Sequence, residues 1–383
     1  MRIGILTLAS PDSGGVFQYT LTLLEAFKNY LGDKYELSQI KFPEFPTVLD
    51  NCIEIKPSKS SVILKIKRII HTFTGVKLGD ILGSYNHPII KDLDLIISPT
   101  ITLLPYHMKK PYIVTIHDFQ QEYYTEFFTL KEKIARKIGY KTGEKANAVV
   151  CESEYVKRDI LKFLKVSGEK VFVIPSPPPS YIRNRNVSGS LLHEVKYKYK
   201  LPDKYIFYPA QFWYHKNHIN LIRAIKLIKD KYNTTINLVL VGSKKNNFEN
   251  VMKEIQKLKL DEQIKYLGYV PDEDMPYLYK LSTALVMPTL FESVSLPIWE
   301  AFYLGVPVVS SNVCALPEQV GDAGLIFDPY NIEDMAEKIY KVWKDDALRQ
   351  ELIKKGYERI KDLTLENYAK QWEKVIEEVL KNE

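Results

Sequence analysis

Cysteine is scarce in this chain. Cys52, Cys151 and Cys314 are the only three in 383 residues, and they lie far apart with no metal-type spacing. A disulfide scaffold and a cysteine-based metal centre are both excluded, and the usage fits a reduced, cytoplasmic setting. Long apolar runs are also missing. None approaches the roughly 18 residues of a membrane span. The N-terminal MRIGILTLAS is too short in its apolar part for a signal peptide, and Asp12 follows at once. There is no internal repeat, no long low-complexity segment and no complete G-x-G-x-x-G after the first strand pattern. No nucleic-acid partner is expected. What remains is ordinary for a soluble globular protein, with 45% apolar and 26% charged residues. The length favours two domains. The net charge of +6 arises mostly in the first half, which suggests an anionic partner for that half. The 26 tyrosines carry no functional signal on their own.

Residues 288–309, PTLFESVSLPIWEAFYLGVPVV, organise the rest. Ala284 to Met287 reads as a buried parallel strand. A polar loop, Glu292 to Ser295, follows. Pro297 falls in the first turn of a helix, where its missing N–H is no loss. Gly305 suits the C-cap, Pro307 stops the helix, and Val308-Val309 open another strand. In such a unit the helix start points into the crevice at the carboxyl ends of the strands. Its N–H groups and dipole make that point an anion site. Glu292 and Glu300 bracket it. Acids beside an anion site make sense for a ligand that is part anion and part polyol, as a nucleotide-diphosphate sugar is. The plain alternative is two solvated charges at the ends of a helix.

The seven residues between Glu292 and Glu300, within the string FES-S-LP-EA-LG-PVV, resemble the E-x7-E motif of retaining glycosyltransferases. The string is similar to that of glycosyltransferase family 4, the group 1 glycosyltransferases, which have the GT-B fold. That resemblance implies that Glu292 holds sugar hydroxyls and Glu300 the ribose. The backbone N–H groups at Val294, Ser295 and Leu296 would hold phosphate and sugar oxygens. Ser293 and Ser295 replace the family's usual glycines, so the loop would be stiffer and the sugar pocket narrower.

Arg2 to Leu8 reads as a buried first strand, followed by a loop with Gly14 and Gly15 and then an amphipathic helix. An ordinary tight turn explains the glycines. The resemblance instead places them at the interdomain cleft, near donor phosphates and acceptor. Residues 55–79 carry six Lys or Arg and no acid, and Val62, Ile66, Ile69, Ile70 and Phe73 recur at helical spacing. Such a helix either packs its apolar stripe on the core or lies on an anionic membrane surface. Further strands read at Leu93–Ile97 and Tyr112–Ile116, the latter ending in His117-Asp118 at the mouth of the sheet. His117 is either a satisfied loop histidine, with Asp118 as a cap, or the family's histidine near acceptor and donor sugar. The proline-rich stretch Pro175 to Ser180, with polar residues to Ser190, reads as a linker.

In the second half, Tyr205 to Tyr208 is a strand followed by the loop PAQFWYHKN. In the family this loop reads G-R-x4-K and grips the diphosphate. Lys216 matches the lysine, whereas Gln211 stands in place of the arginine and brings neither charge nor fork. Gly242, after the strand 237–241, matches a glycine that lets its loop approach the donor. Tyr269 and Val270 match the turn that contacts the nucleotide base through backbone groups.

The expected fold is α/β with GT-B architecture, two Rossmann-like domains with parallel sheets facing across a cleft. Residues 1–175 form an acceptor-binding domain, 191–365 a nucleotide-sugar domain, and 366–383 a helix crossing back to the first. By the resemblance, the reaction is retaining transfer of a hexose, mannose from GDP-mannose, to a hydroxyl of a glycan or lipid-linked acceptor in surface polysaccharide synthesis. No cofactor and no metal are expected, the donor being a substrate and lysine plus helix dipole serving the diphosphate. His117, Lys216 and Glu292 are the catalytic candidates. Peripheral contact with an anionic inner membrane face through 55–79 is a further expectation. The alternatives are a catalytically silent nucleotide-sugar-binding subunit and a GT-B sugar-nucleotide epimerase.

Overall fold

The computed structural model describes residues 1–55, 62–82, 88–185, 187 and 189–381. They form two compact units. Unit 1 is Met1–Pro177 with Leu363–Glu383, and unit 2 is Pro178–Asp362.

Unit 1 is built on seven parallel strands, β1 (Arg2–Thr7), β2 (Glu36–Lys41), β3 (Asn51–Glu54), β4 (Leu95–Ser98), β5 (Tyr112–Thr115), β6 (Ala148–Cys151) and β7 (Val171–Val173), in the order β3-β2-β1-β4-β5-β6-β7. Helices cover both faces, so the central strands are buried on both sides and read as unbroken apolar runs. Ile3, for example, faces Leu37 in β2 and Leu95 in β4. The edge strand β3 was not expected. Its four residues, NCIE, are too short and too polar to show alternation.

Unit 2 has six parallel strands, β8 (Tyr205–Pro209), β9 (Asn237–Val241), β10 (Ile264–Tyr266), β11 (Ala284–Met287), β12 (Val308–Ser311) and β13 (Gly324–Phe327), in the order β10-β9-β8-β11-β12-β13. Each unit is therefore a doubly wound Rossmann-like sheet. Strand order reverses between β1 and β4 in unit 1 and between β8 and β11 in unit 2. At such a switch point the loops leaving the two strands diverge and open a crevice at their carboxyl ends. The loops in question are 8–14 and 99–103 in unit 1, and 210–217 and 288–295 in unit 2.

The units join differently from the sequence expectation. Unit 2 begins at Pro178 and not near residue 191, because the turn Ser180–Arg183 packs as part of it. Ile182 is fully buried there, and the Tyr303 hydroxyl donates to the Arg183 carbonyl at 3.2 Å. The last helix, Leu365–Lys381, belongs to unit 1. Tyr368, Trp372, Ile376 and Val379 on its apolar face share one core with Leu23, Leu24 and Phe27 of the first helix, Gly15–Tyr30. Lys34 clasps it from outside, 2.6 Å from both Glu373 and Glu377. No helix among the described residues is long and apolar enough to cross a membrane.

Candidate active site

In unit 2 the switch-point loops are laced together by backbone and amide bonds. The Asn217 amide donates to the carbonyls of Pro288 at 2.9 Å and Pro329 at 3.1 Å. The His215 carbonyl accepts from Leu290 N–H at 2.7 Å and from Thr289 Oγ1 at 3.1 Å. Tyr208 Oη donates to the Lys216 carbonyl at 2.8 Å. These ties leave Lys216 no choice of neighbour, and its ammonium pairs with the Glu292 carboxylate. Each side chain is 18% exposed, so the pair is partly shielded yet reachable. His218, next in the chain, is fully buried and stacks on Phe212 with centroids 4.3 Å apart. Burial, and then the charge of Lys216, push its pKa down to about 3, so it is a neutral packing residue.

The neighbouring loops close in on the same strand ends. Ala210 N–H donates to the Val241 carbonyl and Gly242 N–H to the Gly268 carbonyl. Gly242 has φ 144°, and a Cβ there would lie 2.3 Å from the Ala210 carbonyl oxygen, so only glycine allows this approach. Gln211 Oε1 accepts from the Trp213 indole at 2.9 Å. Its amide NH2 is then the end able to donate to an anion. Tyr269 is 75% exposed and Val270 is buried, so at Val270 only the backbone can serve a ligand.

The helix after β11 runs Leu296–Leu304 with Ser295 as N-cap, Pro297 in the first turn and Gly305 as a left-handed C-cap. Its start differs from expectation at one donor. Gln319 binds the Ser295 backbone on both sides, Oε1 accepting from N–H at 2.9 Å and Nε2 donating to the carbonyl at 2.7 Å. Ser295 N–H is therefore occupied as the molecule stands. Among the described residues the N–H groups of Val294 and Leu296 have no such partner.

Glu300 is 2% exposed. Its Oε1 accepts from Tyr181 and its Oε2 from Tyr279, both at 2.5 Å. Burial raises its pKa to about 7, although the two tyrosine hydrogen bonds pull the other way. A solvated helix-end charge is thus ruled out for Glu300, whose two oxygens each already hold one tyrosine hydroxyl.

In unit 1, Gly14 has φ 58° and caps the first helix, with Gly15 as that helix's first residue. The adjoining cavity of about 490 Å³ is lined by Ser10, Ser13, Thr115, His117, Asp118 and Arg136 among others. His117 Nε2 bonds the Pro99 carbonyl at 2.8 Å, and Nδ1 lies 3.2 Å from Glu152 Oε2. A backbone carbonyl and a carboxylate are both acceptors, a setting that favours the imidazolium with both ring nitrogens donating. Burial alone would lower the His117 pKa, but the Glu152 hydrogen bond and charge outweigh it and the net shift is upward. The Ser176 hydroxyl holds the other Glu152 oxygen at 2.6 Å. Asp118 pairs with Arg136 Nη1 at 2.7 Å and accepts from Gln120 N–H at 2.9 Å. It is both the cap that the sequence allowed and an ion-pair partner. Burial disfavours its charge, but Arg136 prevails and lowers its pKa.

The glycosyl transferases group 1 family model matches residues 193–359, and the glycosyltransferase family 4 model matches residues 13–177. The chain belongs to this glycosyltransferase family. The O-antigen chain mannosyltransferase B of Escherichia coli is 29% identical over 271 residues, spanning 70% of each protein. The serotype-specific mannosyltransferase WbdA of E. coli is 26% identical over 211 residues, which is 55% of this chain but only 26% of WbdA. Among solved structures, sucrose-phosphate synthase from Thermosynechococcus elongatus superposes with TM-score 0.77 at 18% identity over the whole of both chains. Anabaena HepE in complex with UDP-glucose does so with TM-score 0.74 at 16% identity, covering 99% of this chain and all of HepE. The fold is GT-B, two Rossmann-like α/β domains.

Within this glycosyltransferase the sequence singled out Lys216, Glu292 and Glu300 as candidates but not what holds them. Glu152, the first residue after β6, stands at a strand's carboxyl end, and that position alone could have flagged it. Tyr181, Tyr279 and Gln319 gave no signal, since each reaches its partner only through tertiary folding.

Proposed function

We propose that this glycosyltransferase moves a hexose, mannose from GDP-mannose, to a hydroxyl of a glycan or lipid-linked acceptor in surface polysaccharide synthesis, with retention at the anomeric carbon. The Lys216–Glu292 pair beside the start of helix Leu296–Leu304 carries this assignment. A diphosphate draws the ammonium away from the carboxylate and neutralises it, while the freed carboxylate accepts from sugar hydroxyls. The N–H groups of Val294 and Leu296 add the helix-end field. Gln211 contributes a neutral donor where the family has a charge, so more of the charge developing on the leaving diphosphate falls to Lys216. No divalent metal is needed in this scheme, and full activity in chelator is expected. The leaving phosphate oxygen takes the acceptor's proton, because both ring nitrogens of His117 are already engaged by Pro99 and Glu152. The names of the E. coli mannosyltransferases support the sugar and the pathway.

The alternative from another class is a silent subunit that binds nucleotide sugar without turnover, which Gln211, Ser293 and Ser295 favour by departing from the family motif. A panel of GDP-, UDP- and ADP-sugars, scored by calorimetric binding and by release of nucleoside diphosphate with a polyprenyl-linked or oligomannose acceptor, separates the two. Turnover with GDP-mannose and an α-linked product are expected. Binding without turnover for every pair would establish the silent subunit, and turnover with a β-linked product would overturn retention.

A further inference from the structure

The helix Val62–Thr74 is amphipathic in the opposite sense to a core helix. Val62, Ile63, Ile66, Ile69 and Phe73 are 72, 65, 49, 41 and 51% exposed, whereas Thr72 is 7% exposed. At about 100° per residue, Val62, Ile66, Ile69 and Phe73 share one narrow stripe that Ile63 widens. Lys65 lies just beyond one edge of it and Lys67 just beyond the other. The polar residues face the protein. Arg68 donates to the carbonyls of Ile81 at 2.8 Å and Leu82 at 3.0 Å, and His71 stacks on Tyr106 with centroids 5.3 Å apart. Those contacts fix the helix's rotation, so the apolar stripe cannot roll inward without breaking them. The adjacent helix Leu130–Lys145 packs against it and exposes Leu130 at 73% and Ile134 at 48%, with Lys131 and Lys137 on either side of them. Exposed apolar area of this extent marks an interaction surface.

We propose that this face of unit 1 docks on an anionic lipid bilayer. The stripe would enter the acyl boundary while the flanking lysines, whose long stems reach outward, meet the headgroups. Charge selects this occupant. Between Glu54 and Asp80 there is no other acidic residue, so a second copy of the chain would bring lysine against lysine across a symmetric contact, whereas an anionic lipid complements it. Lys56 and Lys59, part of the same basic run, lie outside the described residues. The inference is independent of which sugar or acceptor the enzyme uses.

The test is co-sedimentation of the full chain with vesicles of phosphatidylcholine alone and of phosphatidylcholine mixed equally with phosphatidylglycerol. Binding to the mixed vesicles only, weakened by added salt, is expected. Lys65→Glu with Lys67→Glu should weaken it at least about tenfold, since each lysine is worth roughly fivefold. Ile66→Asp with Phe73→Asp should abolish it. Lys65, Ile66 and Phe73 are exposed and Lys67 is half-buried, and none is in the core, so the melting temperature should hold and show that the fold is intact. Equal binding to both vesicle types, no binding to either, or wild-type binding by the folded variants would overturn the proposal. So would a wild-type dimer that the apolar variant dissolves.

Discussion

The Tyr181 hydroxyl sits 2.5 Å from Glu300 Oε1, and the Tyr279 hydroxyl sits 2.5 Å from Oε2 of the same buried carboxylate. The carboxylate that the family resemblance gives to a ribose diol thus already holds one phenol on each oxygen. Tyr181→Phe would leave one oxygen buried and unpaired, at about 1–3 kcal/mol of stability. If Glu300 serves the ribose, a ribose hydroxyl would meet that unpaired oxygen. The folded variant should bind nucleoside diphosphate severalfold tighter than wild type in calorimetry, with a lower melting temperature. Weaker binding by Tyr181→Phe would mean that the tyrosine helps hold the donor and does not compete with it.

Glu300 also ties stability to pH. Burial raises its pKa to about 7 in the fold, against an ordinary value of 4.5. Between those values the native state binds more protons than the unfolded chain, so stability falls as pH rises from about 4.5 and levels off above about 7. The ceiling on this effect is roughly 3 kcal/mol. In Glu300→Gln that part of the slope should vanish. Urea denaturation at pH 5, 6, 7 and 8 measures it, and an equal slope in the two proteins would refute the assignment.

Sequence pattern carried the frame of this enzyme well. Apolar runs such as Ile3–Leu6 and Ala284–Met287 are buried on both faces, which makes a parallel strand legible without its neighbours. The same holds for the helix at Leu296, where proline and glycine mark both ends. What pattern could not supply were contacts made across the fold. Tyr181 lies 119 positions from Glu300 and Gln319 lies 24 from Ser295, and no local rule links them. The rotation of the helix Val62–Thr74 was equally hidden. Periodicity shows that a stripe exists, but Arg68 and His71 decide which way it points, and their partners at 81–82 and 106 lie elsewhere in the chain.

His117 should titrate above its ordinary range. Glu152 holds it charged against the opposing effect of burial. The stabilisation from this pair is fully present below the unfolded pKa near 6.5 and is lost as pH rises through the higher folded value. In Glu152→Gln burial prevails and the imidazole should titrate below 6.5. Ring-proton chemical shifts followed by NMR across pH 5 to 9 would show both. A wild-type His117 that is neutral at pH 6.5 would reopen its candidacy as a base.

Lys216 and Glu292 form one unit, and their variants should behave as one. Either Lys216→Ala or Glu292→Ala should lower kcat/KM at least about a hundredfold, roughly 2.7 kcal/mol. The two losses should fall on different constants. Removing the ammonium weakens the hold on the diphosphate in ground and transition states alike, so nucleoside diphosphate alone should bind Lys216→Ala more weakly. Removing the carboxylate frees the ammonium, so Glu292→Ala should bind nucleoside diphosphate as tightly as wild type or tighter and lose its rate in the sugar step. Because each residue partners the other in the free enzyme, the double variant should lose less than the product of the single losses. Simple multiplication of the two effects would show that the pair seen in the free protein has no part in donor recognition. Equal loss of nucleoside diphosphate affinity in both single variants would instead place Glu292 at the phosphates and remove it from the sugar.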